Sequence, residues 1–257
     1  MKQIFVGSVI RAKLYSQIKK AVTVPHILQA VIILLLIIVP LALRDKIFHI
    51  AEGEYSNVVF VETLSGSGSA VYVGGDGYLL TAAHVVADMS IGEVCGVRFY
   101  DPNSSPARSS MSFIAELVAM GNFLPSKNFE EDYALLKLLY VDGSDFAKPC
   151  ALGESKNVKV NDPIKVEGYP GGDNFFSTNG TVNNVNGGRS KSPKLFVVNA
   201  GAWPGNSGGA LKSQNDELIG IVTMKGTIEA QTDGQTFVLK IDDIRTKLKS
   251  YGSPFNK

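Results

Sequence analysis

Cysteine is nearly absent from this sequence, and so is net charge. Only Cys95 and Cys150 occur among the 257 residues, which is too few for a disulfide scaffold, and their spacing is not that of a metal motif. They are either two buried thiols, which we favour, or one bridge if the domain lies in an oxidising compartment. The net charge is +1, with 25 basic and 24 acidic residues. This balance gives no electrostatic case for nucleic acid as the main partner.

Charged residues are also scarce in total, at 19% of the chain, whereas glycine occurs 26 times. Low charge with many glycines is typical of a turn-rich β protein rather than of a helical or disordered one. About 200 residues remain once the N-terminal segment is set aside, enough for one domain whose core needs no disulfide or metal.

One stretch lacks charge altogether. Residues 27–43 read ILQAVIILLLIIVPLAL, with Gln29 as the one strongly polar residue, and extension back to Val22 gives the roughly 20 residues that cross a bilayer. A buried core helix is disfavoured because the flanks are basic and polar. A cleaved signal peptide is the second alternative, but no small-x-small cleavage site follows the run. We predict an uncleaved transmembrane signal anchor over 27–43.

Flanking charge predicts the orientation of this anchor, since more basic residues precede it than closely follow it. The predicted order is a cytoplasmic basic segment over 1–26, the anchor, a stalk over 44–56 and an extracytoplasmic folded domain over 57–257. The basic residues before the anchor are Lys2, Arg11, Lys13, Lys19 and Lys20, and those after it are Arg44 and Lys46.

From Asn57 onward, short apolar runs alternate with glycine-rich turns. Runs such as SAVYV, GYLLTAA and LIGIVTM are rich in the residue types that β-strands favour. Short strands without helical periodicity indicate a sandwich or closed barrels. The exception is IDDIRTKLKSY, in which Ile241, Ile244 and Leu248 fall on one face and predict a C-terminal helix. The domain is therefore predicted to be all-β with a terminal helix.

Histidine is scarce as well, and this narrows the chemistry. His26 precedes the apolar run and His49 follows it closely, so His84 in TAAHVV is the only imidazole of the predicted folded domain. A serine nucleophile near neutral pH needs a neighbouring general base, and imidazole has a suitable pKa. If the domain uses serine chemistry, His84 is the only candidate base.

A candidate carboxylate follows His84 in the chain. Asp132 in EEDYALLKL stands before an apolar strand, where it can hold the His84 ring in one tautomer and stabilise the imidazolium. Taken alone, Asp132 is explained equally well as a solvated acid at a strand edge.

The candidate nucleophile is Ser207, in the motif PGNSGGAL. Its glycines permit positive φ and let a substrate backbone approach closely. The N–H groups of Gly205 and Ser207 can converge on one point as an oxyanion hole. A glycine-rich hairpin is the alternative, but it requires neither a serine between glycines nor the strand-like LIGIVT that follows. We predict His84, Asp132 and Ser207 as a catalytic triad.

Seven blocks of the sequence, taken in order, resemble those of trypsin-like (chymotrypsin-fold) serine peptidases, most of all the bacterial HtrA (Deg) branch. The resemblance covers about Asn57 to Leu248 and implies two antiparallel six-stranded β-barrels with the triad in the cleft between them. It also implies a Ser207 acyl-enzyme, no metal and no cofactor. Thr223 takes the family's position for a hydroxyl that supports the triad aspartate. The blocks are GSGSAVYV, GYLLTAAHVV, DYALLKL, EGYPGG, GTVNNV, PGNSGGAL and LIGIVT.

The family pattern also implies where the side chain of substrate residue P1 binds. No acid occurs among the residues of this S1 pocket, so a basic P1 residue lacks a counter-charge, and small or medium apolar P1 residues are expected. The implied lining residues are Gly201, Ala202, Thr223, Met224, Lys225 and Val238.

The sequence departs from the family in three ways. HtrA proteins usually carry C-terminal PDZ domains, but none follows the terminal helix, so sensing of peptide tails by such a module is not expected. Asn206 replaces the aspartate with which digestive members bind their freed N-terminus, so that zymogen switch is not expected either. The trimerising N-terminal segment is not recognisable, which leaves a homo-oligomer or an activating partner open.

Two functions are compatible with these features. The first is a single-pass membrane serine endopeptidase that acts on protein or peptide substrates, with its domain in the bacterial periplasm. The second is a dormant or non-catalytic sensing or binding module on a protease fold. The intact residues His84, Asp132 and Ser207 argue against loss of catalysis.

Overall fold

Short strands and tight turns make up nearly all of the described part of this computed structural model. The predicted cytoplasmic segment, the anchor and most of the stalk lie outside the described residues. Within the described part of the chain, no helix has the length and hydrophobicity to cross a membrane. The described residues are 55–101, 110–124, 129–140, 147–172, 174–188, 191–225 and 235–256.

The first six strands close into one antiparallel barrel, in the order β1-β2-β3-β6-β5-β4, with β4 pairing back onto β1. Short turns join β1 to β2 and β2 to β3, and closure leaves no exposed sheet edge. The strands are β1 Val58–Glu62, β2 Ser67–Val73, β3 Tyr78–Thr81, β4 Val94–Tyr100, β5 Ser110–Met120 and β6 Ala134–Leu138.

The last six strands form a second closed barrel, in the order β10-β11-β12-β9-β8-β7, with β7 pairing onto β10. The predicted all-β class with two six-stranded barrels is therefore confirmed. The strands are β7 Pro163–Gly168, β8 Phe176–Asn184, β9 Leu195–Asn199, β10 Ala210–Lys212, β11 Leu218–Lys225 and β12 Gln235–Lys240.

Several strands read as continuous apolar runs because both of their faces are buried. In β1, Val58 and Phe60 join a hydrophobic cluster with side chains from the second barrel, while Val59 and Val61 are buried on the opposite face. A separate cluster that includes Val198 fills the second barrel. The first cluster, which contains side chains from both barrels, fixes how the barrels pack together.

The predicted C-terminal helix is present as α1, Ile241–Lys247. Ile241 and Ile244 are buried with Leu248 in the cluster that joins the barrels, which confirms the predicted apolar face. Asp242 and Asp243 lie in the first turn, where the helix dipole favours negative charge.

Both cysteines are free, buried thiols, which agrees with the favoured of the two alternatives. Burial raises the pKa of Cys95 to about 12 and that of Cys150 to about 11. Both thiols are therefore protonated near neutral pH and unreactive as nucleophiles.

A buried ion pair lies where β7 meets β10. The Lys212 ammonium contacts the Glu167 carboxylate at 2.7 Å, and both side chains are almost fully buried. Lys212 also donates to Asn57 Oδ1 at 2.9 Å, at the start of the first barrel, and Lys165 pairs with Glu167 at 2.9 Å. Because a buried charge without its partner is costly, this pair stabilises only as a unit.

Replacing Glu167 alone is therefore expected to destabilise the protein much more than replacing both partners. Glu167→Leu is expected to lower the free energy of unfolding by about 3 kcal/mol, since it leaves the buried Lys212 with only the more distant carboxylate of the exposed Asp216, at 3.6 Å. The double change Glu167→Leu and Lys212→Met should recover most of that loss. Urea unfolding monitored by circular dichroism measures both.

The exposed pair between Arg98 and Glu62, at 3.3 Å, provides the control. Glu62→Gln is expected to cost less than about 1 kcal/mol, as exposed pairs do. If the single and double changes at the buried pair destabilise equally, the assigned coupling is wrong.

Candidate active site

His84 and Asp132 are joined by two hydrogen bonds within the first barrel. His84 lies in a 3-10 turn, Ala83–Val86, directly after β3, and Asp132 lies just before β6, the strand that pairs with β3. The His84 Nδ1 lies 2.8 Å from Asp132 Oδ2, and the His84 backbone N–H donates to Oδ1 at 3.0 Å. Asp132 is fully buried. A carboxylate bound in this way holds Nδ1–H toward itself and leaves Nε2 as an acceptor.

The segment that leads into Asp132 is tied to the second barrel and to α1. Glu130 accepts a hydrogen bond from the Ser192 hydroxyl and pairs with Lys194 at 3.0 Å, and Glu131 pairs with Lys247 of α1. The Ser192 hydrogen bond, followed by that from Lys194, holds the pKa of Glu130 below its usual value. Both acids that precede Asp132 are therefore paired with basic or hydroxyl side chains.

Ser207 is held by hydrogen bonds of its own backbone and of its neighbours. The Ser207 carbonyl accepts from Ser69 N of β2 at 2.8 Å, and Gly208 N donates to Val222 O of β11 at 2.7 Å. Gly208 has φ +81, and a Cβ there would collide with the Ser69 carbonyl and the Thr81 hydroxyl. Thr81 ends β3, so the Ser207 loop lies against the strand end that leads into His84.

The backbone around Gly205 leaves two N–H groups without a protein acceptor. Asn206 N donates to Trp203 O at 2.9 Å and Gly209 N to Asn206 O at 2.8 Å. The backbone N–H groups of Gly205 and Ser207 each donate to no acceptor among the described residues. Both N–H groups are therefore available to a ligand oxygen, and their convergence as an oxyanion hole stays a prediction.

Gly205 itself has φ +101, and a Cβ there would lie 2.6 Å from the Tyr169 carbonyl oxygen. Its preceding carbonyl, Pro204 O, accepts from Gly171 N at 3.2 Å. Since a trans peptide points its C=O and N–H in opposite directions, this bond turns Gly205 N–H away from the Tyr169–Gly172 turn.

Asn206 is fully buried beside the nucleophile. Neither its amide nitrogen nor its amide oxygen has a hydrogen-bond partner among the described residues, and a Cβ at Gly168 would lie 2.8 Å from the amide oxygen. A neutral amide needs no buried counter-ion here, unlike a carboxylate.

The residues expected around the S1 pocket lie in different surroundings. Ala202 and Val238 are buried in the cluster that fills the second barrel. Gly201 lies against the Trp203 ring, since a Cβ there would be 2.8 Å from that ring. The side chains of two further expected residues, Met224 and Lys225 of β11, lie outside the described part of the structure.

Thr223 is buried at a β-bulge of β11, where the register against β12 shifts between Val222 and Met224. Its hydroxyl has no hydrogen-bond partner among the described residues. No hydrogen bond therefore joins Thr223 to Asp132, and the support implied by family resemblance is not formed in this structure.

Two residues of the site were not anticipated from sequence. The Phe123 ring lies 5.9 Å from the His84 ring, centroid to centroid, and 6.3 Å from that of Phe129, giving the imidazole an aromatic neighbour. The Ser69 hydroxyl donates to Gly205 O. Neither position carries a sequence signal, because a loop phenylalanine and a strand serine are common.

Among the described residues, no group of three or more potential ligands could hold a metal ion.

The structure has two closed barrels, with a His–Asp pair on one barrel and a serine in a glycine-rich loop on the other. These features define the class of protein. The trypsin-like peptidase domain family matches residues 68–221. The chain belongs to this family of serine peptidases, as the motifs predicted.

The relatives lie in the predicted HtrA branch. "Serine protease HtrA-like" of Staphylococcus epidermidis is 29% identical over 194 residues, or 70% of this chain and 29% of that protein. Its Staphylococcus aureus counterpart is 27% identical over 197 residues, or 72% of this chain and 23% of that protein. The chain thus spans less than a third of the length of these relatives.

Solved structures show the same fold. The Rv3671c protease in its inactive form has a TM-score of 0.54 at 23% identity, covering 77% of this chain and 89% of that one. A variant of the HtrA-type protease AlgW with a tripeptide has a TM-score of 0.60 at 23% identity, covering 79% of this chain and 62% of that one.

Gly205 and Gly171 both have positive φ, but only Gly205 has backbone atoms close to where a Cβ would lie. Alanine is therefore expected to destabilise the protein more at Gly205 than at Gly171. Gly205→Ala is expected to lower the free energy of unfolding by about 3 kcal/mol or more, since strain of about 1–2 kcal/mol adds to a backbone clash. Gly171→Ala, with φ +70 and no atom within 4 Å of the added Cβ, should cost only the strain. Urea unfolding of both variants measures the difference, and equal losses would contradict the described packing.

Proposed function

We propose that this protein is a membrane-anchored serine endopeptidase that cleaves protein substrates through His84, Asp132 and Ser207. One observation carries the proposal. A fully buried carboxylate binds Nδ1 and the backbone N–H of the only imidazole in the folded domain. This arrangement orients Nε2 as a base, and the glycine-held Ser207 loop packs against the strand end that carries this imidazole.

The proposed reaction has two halves. Ser207 Oγ attacks the scissile carbonyl carbon and passes its proton to His84 Nε2, while the oxygen that becomes negative binds the N–H groups of Gly205 and Ser207. Collapse of this intermediate breaks the C–N bond, and the departing amine takes the proton from Nε2. This leaves an acyl ester on Ser207.

Water completes the cycle. It attacks the ester carbonyl, gives a proton to Nε2 and forms a second tetrahedral intermediate in the same oxyanion hole. That intermediate releases the new carboxyl terminus, and Ser207 Oγ regains its proton from Nε2. Asp132 stays ionised throughout and stabilises the imidazolium formed in each half.

The P1 residue is proposed to be small or medium and apolar. Gly201 and Ala202 contribute no acid to the expected pocket, and Ala202 is buried among apolar side chains. A lysine or arginine would have to be desolvated there without a counter-charge. Homo-oligomerisation and activation by a partner are left open by the chain's own features.

The triad proposal predicts how two variants behave. Purified full-length protein in detergent is expected to react with a fluorophosphonate probe and to cleave casein, and Ser207→Ala should abolish both. Asp132→Asn keeps the shape but favours the wrong imidazole tautomer, so turnover should fall by about 10⁴-fold. Probe fluorescence on a gel and peptide release from casein measure these effects.

Asp76→Asn, at an exposed position in the turn after β2, is the matched control and should leave both activities unchanged. If the probe does not label the wild-type protein under any condition, the alternative of a non-catalytic module is favoured. Labelling that survives in Ser207→Ala would assign the nucleophile elsewhere.

The membrane anchor is proposed from residues 27–43, which carry no charge. The full chain is expected to stay in the membrane pellet after a carbonate wash and to keep residues 1–43, as intact mass shows. Changing Ile33 and Leu36 together to arginine should release it, since each charge at a helix centre costs about 2.5–3.5 kcal/mol. Ile33→Leu with Leu36→Ile is the control and should remain bound. Release of the wild type by the wash would refute the anchor.

A further inference from the structure

The Ser69 side chain joins the two turns that lie on either side of the candidate oxyanion hole. Ser69 lies in β2 and is fully buried. Its Oγ donates to Gly205 O at 2.7 Å and accepts from Tyr169 N at 2.9 Å. A buried hydroxyl that both donates and accepts is satisfied and has a fixed orientation.

The backbone of Ser69 adds two more contacts to the same region. Its N–H donates to Ser207 O at 2.8 Å, and its carbonyl accepts from the Thr81 hydroxyl at 2.7 Å. Ser69 thereby binds the carbonyl of Gly205 and the carbonyl of Ser207, one before and one after Asn206. These bonds join β2 of the first barrel to a loop that precedes β10 of the second.

Gly205 needs such contacts because it has no side chain to fix its conformation. A glycine at positive φ can rotate its flanking peptides at little steric cost. Gly171 N–H holds the peptide before Gly205 through Pro204 O, and Ser69 Oγ holds the peptide after it. The Gly205–Asn206 peptide lies between the two candidate donors in the chain, so its orientation determines how the Gly205 N–H and the Ser207 N–H are directed relative to each other.

We propose that Ser69 is a positioning residue for catalysis, whose hydroxyl fixes the Gly205–Asn206 peptide and so keeps the N–H groups of Gly205 and Ser207 directed at one oxyanion. The proposal rests on the function proposed above. Ser69 acts through Gly205 and does not touch the reacting atoms, so its loss should weaken transition-state binding while leaving His84 and its titration unchanged. A serine that only stabilised the fold would instead change the unfolding temperature, with kcat unaltered in the folded fraction.

Ser69→Thr and Ser69→Val separate these roles, because threonine and valine have nearly the same shape and only threonine keeps the hydroxyl. Ser69→Val is expected to lower kcat on casein by up to about 10²-fold, the effect of losing one oxyanion donor. KM should change little, since the interaction is made in the transition state. Ser69→Thr should restore most of the activity. Ser67→Ala, an exposed serine of the same strand, is the control and should match the wild type.

Inhibition by a peptide boronic acid with valine at P1 gives a second readout, because its tetrahedral adduct places an oxygen in the oxyanion hole. Its affinity should fall in parallel with kcat in Ser69→Val and not in Ser69→Thr. The pH at which kcat is half-maximal should be the same in all variants. If Ser69→Val does not fold, as judged by circular dichroism, Ser69→Ala takes its place, since it adds no atoms to the buried site.

The outcomes separate the two proposals. A wild-type protein that neither cleaves casein nor binds the boronic acid overturns the proposed function, and this inference with it. An active wild type whose folded Ser69→Val or Ser69→Ala variant matches it in kcat and boronic acid affinity overturns the role of Ser69 alone. Loss of activity in Ser69→Ala together with an unchanged boronic acid affinity also contradicts the role, because the oxyanion hole would then be intact.

Discussion

The structure depends on how closely the backbone of the Ser207 loop approaches the strands around it. No Cβ can be accommodated at Gly208 beside β2 and β3, or at Gly209 beside the Glu167 carbonyl of β7. Hydrogen bonds to Val222 of β11 hold the loop from the other side. Because most of these contacts are between backbone atoms, Ser207 is placed by four strands whatever its own side chain does. This leaves the hydroxyl free for chemistry, whereas Ser69 is wholly committed to binding its neighbours.

The elements were predictable from sequence where local pattern and burial agree. The strands have alternating or continuous apolar residues, and the face of Ile241, Ile244 and Leu248 is buried as its spacing predicted. Periodicity alone left a sandwich open, and closure into two barrels came only from family resemblance. Closure depends on pairings between distant segments, such as β4 with β1, and no local signal encodes these.

The candidate site was predictable only as far as its motifs reach. His84, Asp132 and Ser207 stand in distinctive surroundings, but Ser69 looks like any serine of an alternating strand. The two partners of its side chain, Gly205 and Tyr169, lie 136 and 100 residues further along the chain. The bulge at Thr223 is likewise a property of pairing between β11 and β12. Thr223, matched to the family by position, makes no hydrogen bond to Asp132 in this structure.

The candidate site is divided between the barrels, and this division decides which of its distances can vary. The His84–Asp132 contact lies within the first barrel, where β3 and β6 pair at Thr81 and Ala134, so strand pairing inside that barrel sets its geometry. The distance between Ser207 and His84 is not set by strand pairing within one barrel. Contacts that cross between the barrels occur beside both halves of the candidate site. Next to the Ser207 loop, Ser69 binds the residues around Asn206. Next to Asp132, Glu130 binds Ser192 and Lys194. A change at this junction therefore acts on the approach of nucleophile to base and on the oxyanion hole before it acts on the imidazole and its carboxylate. It is at this junction, rather than at the His–Asp pair, that a dormant form and an active form of this fold would have to differ.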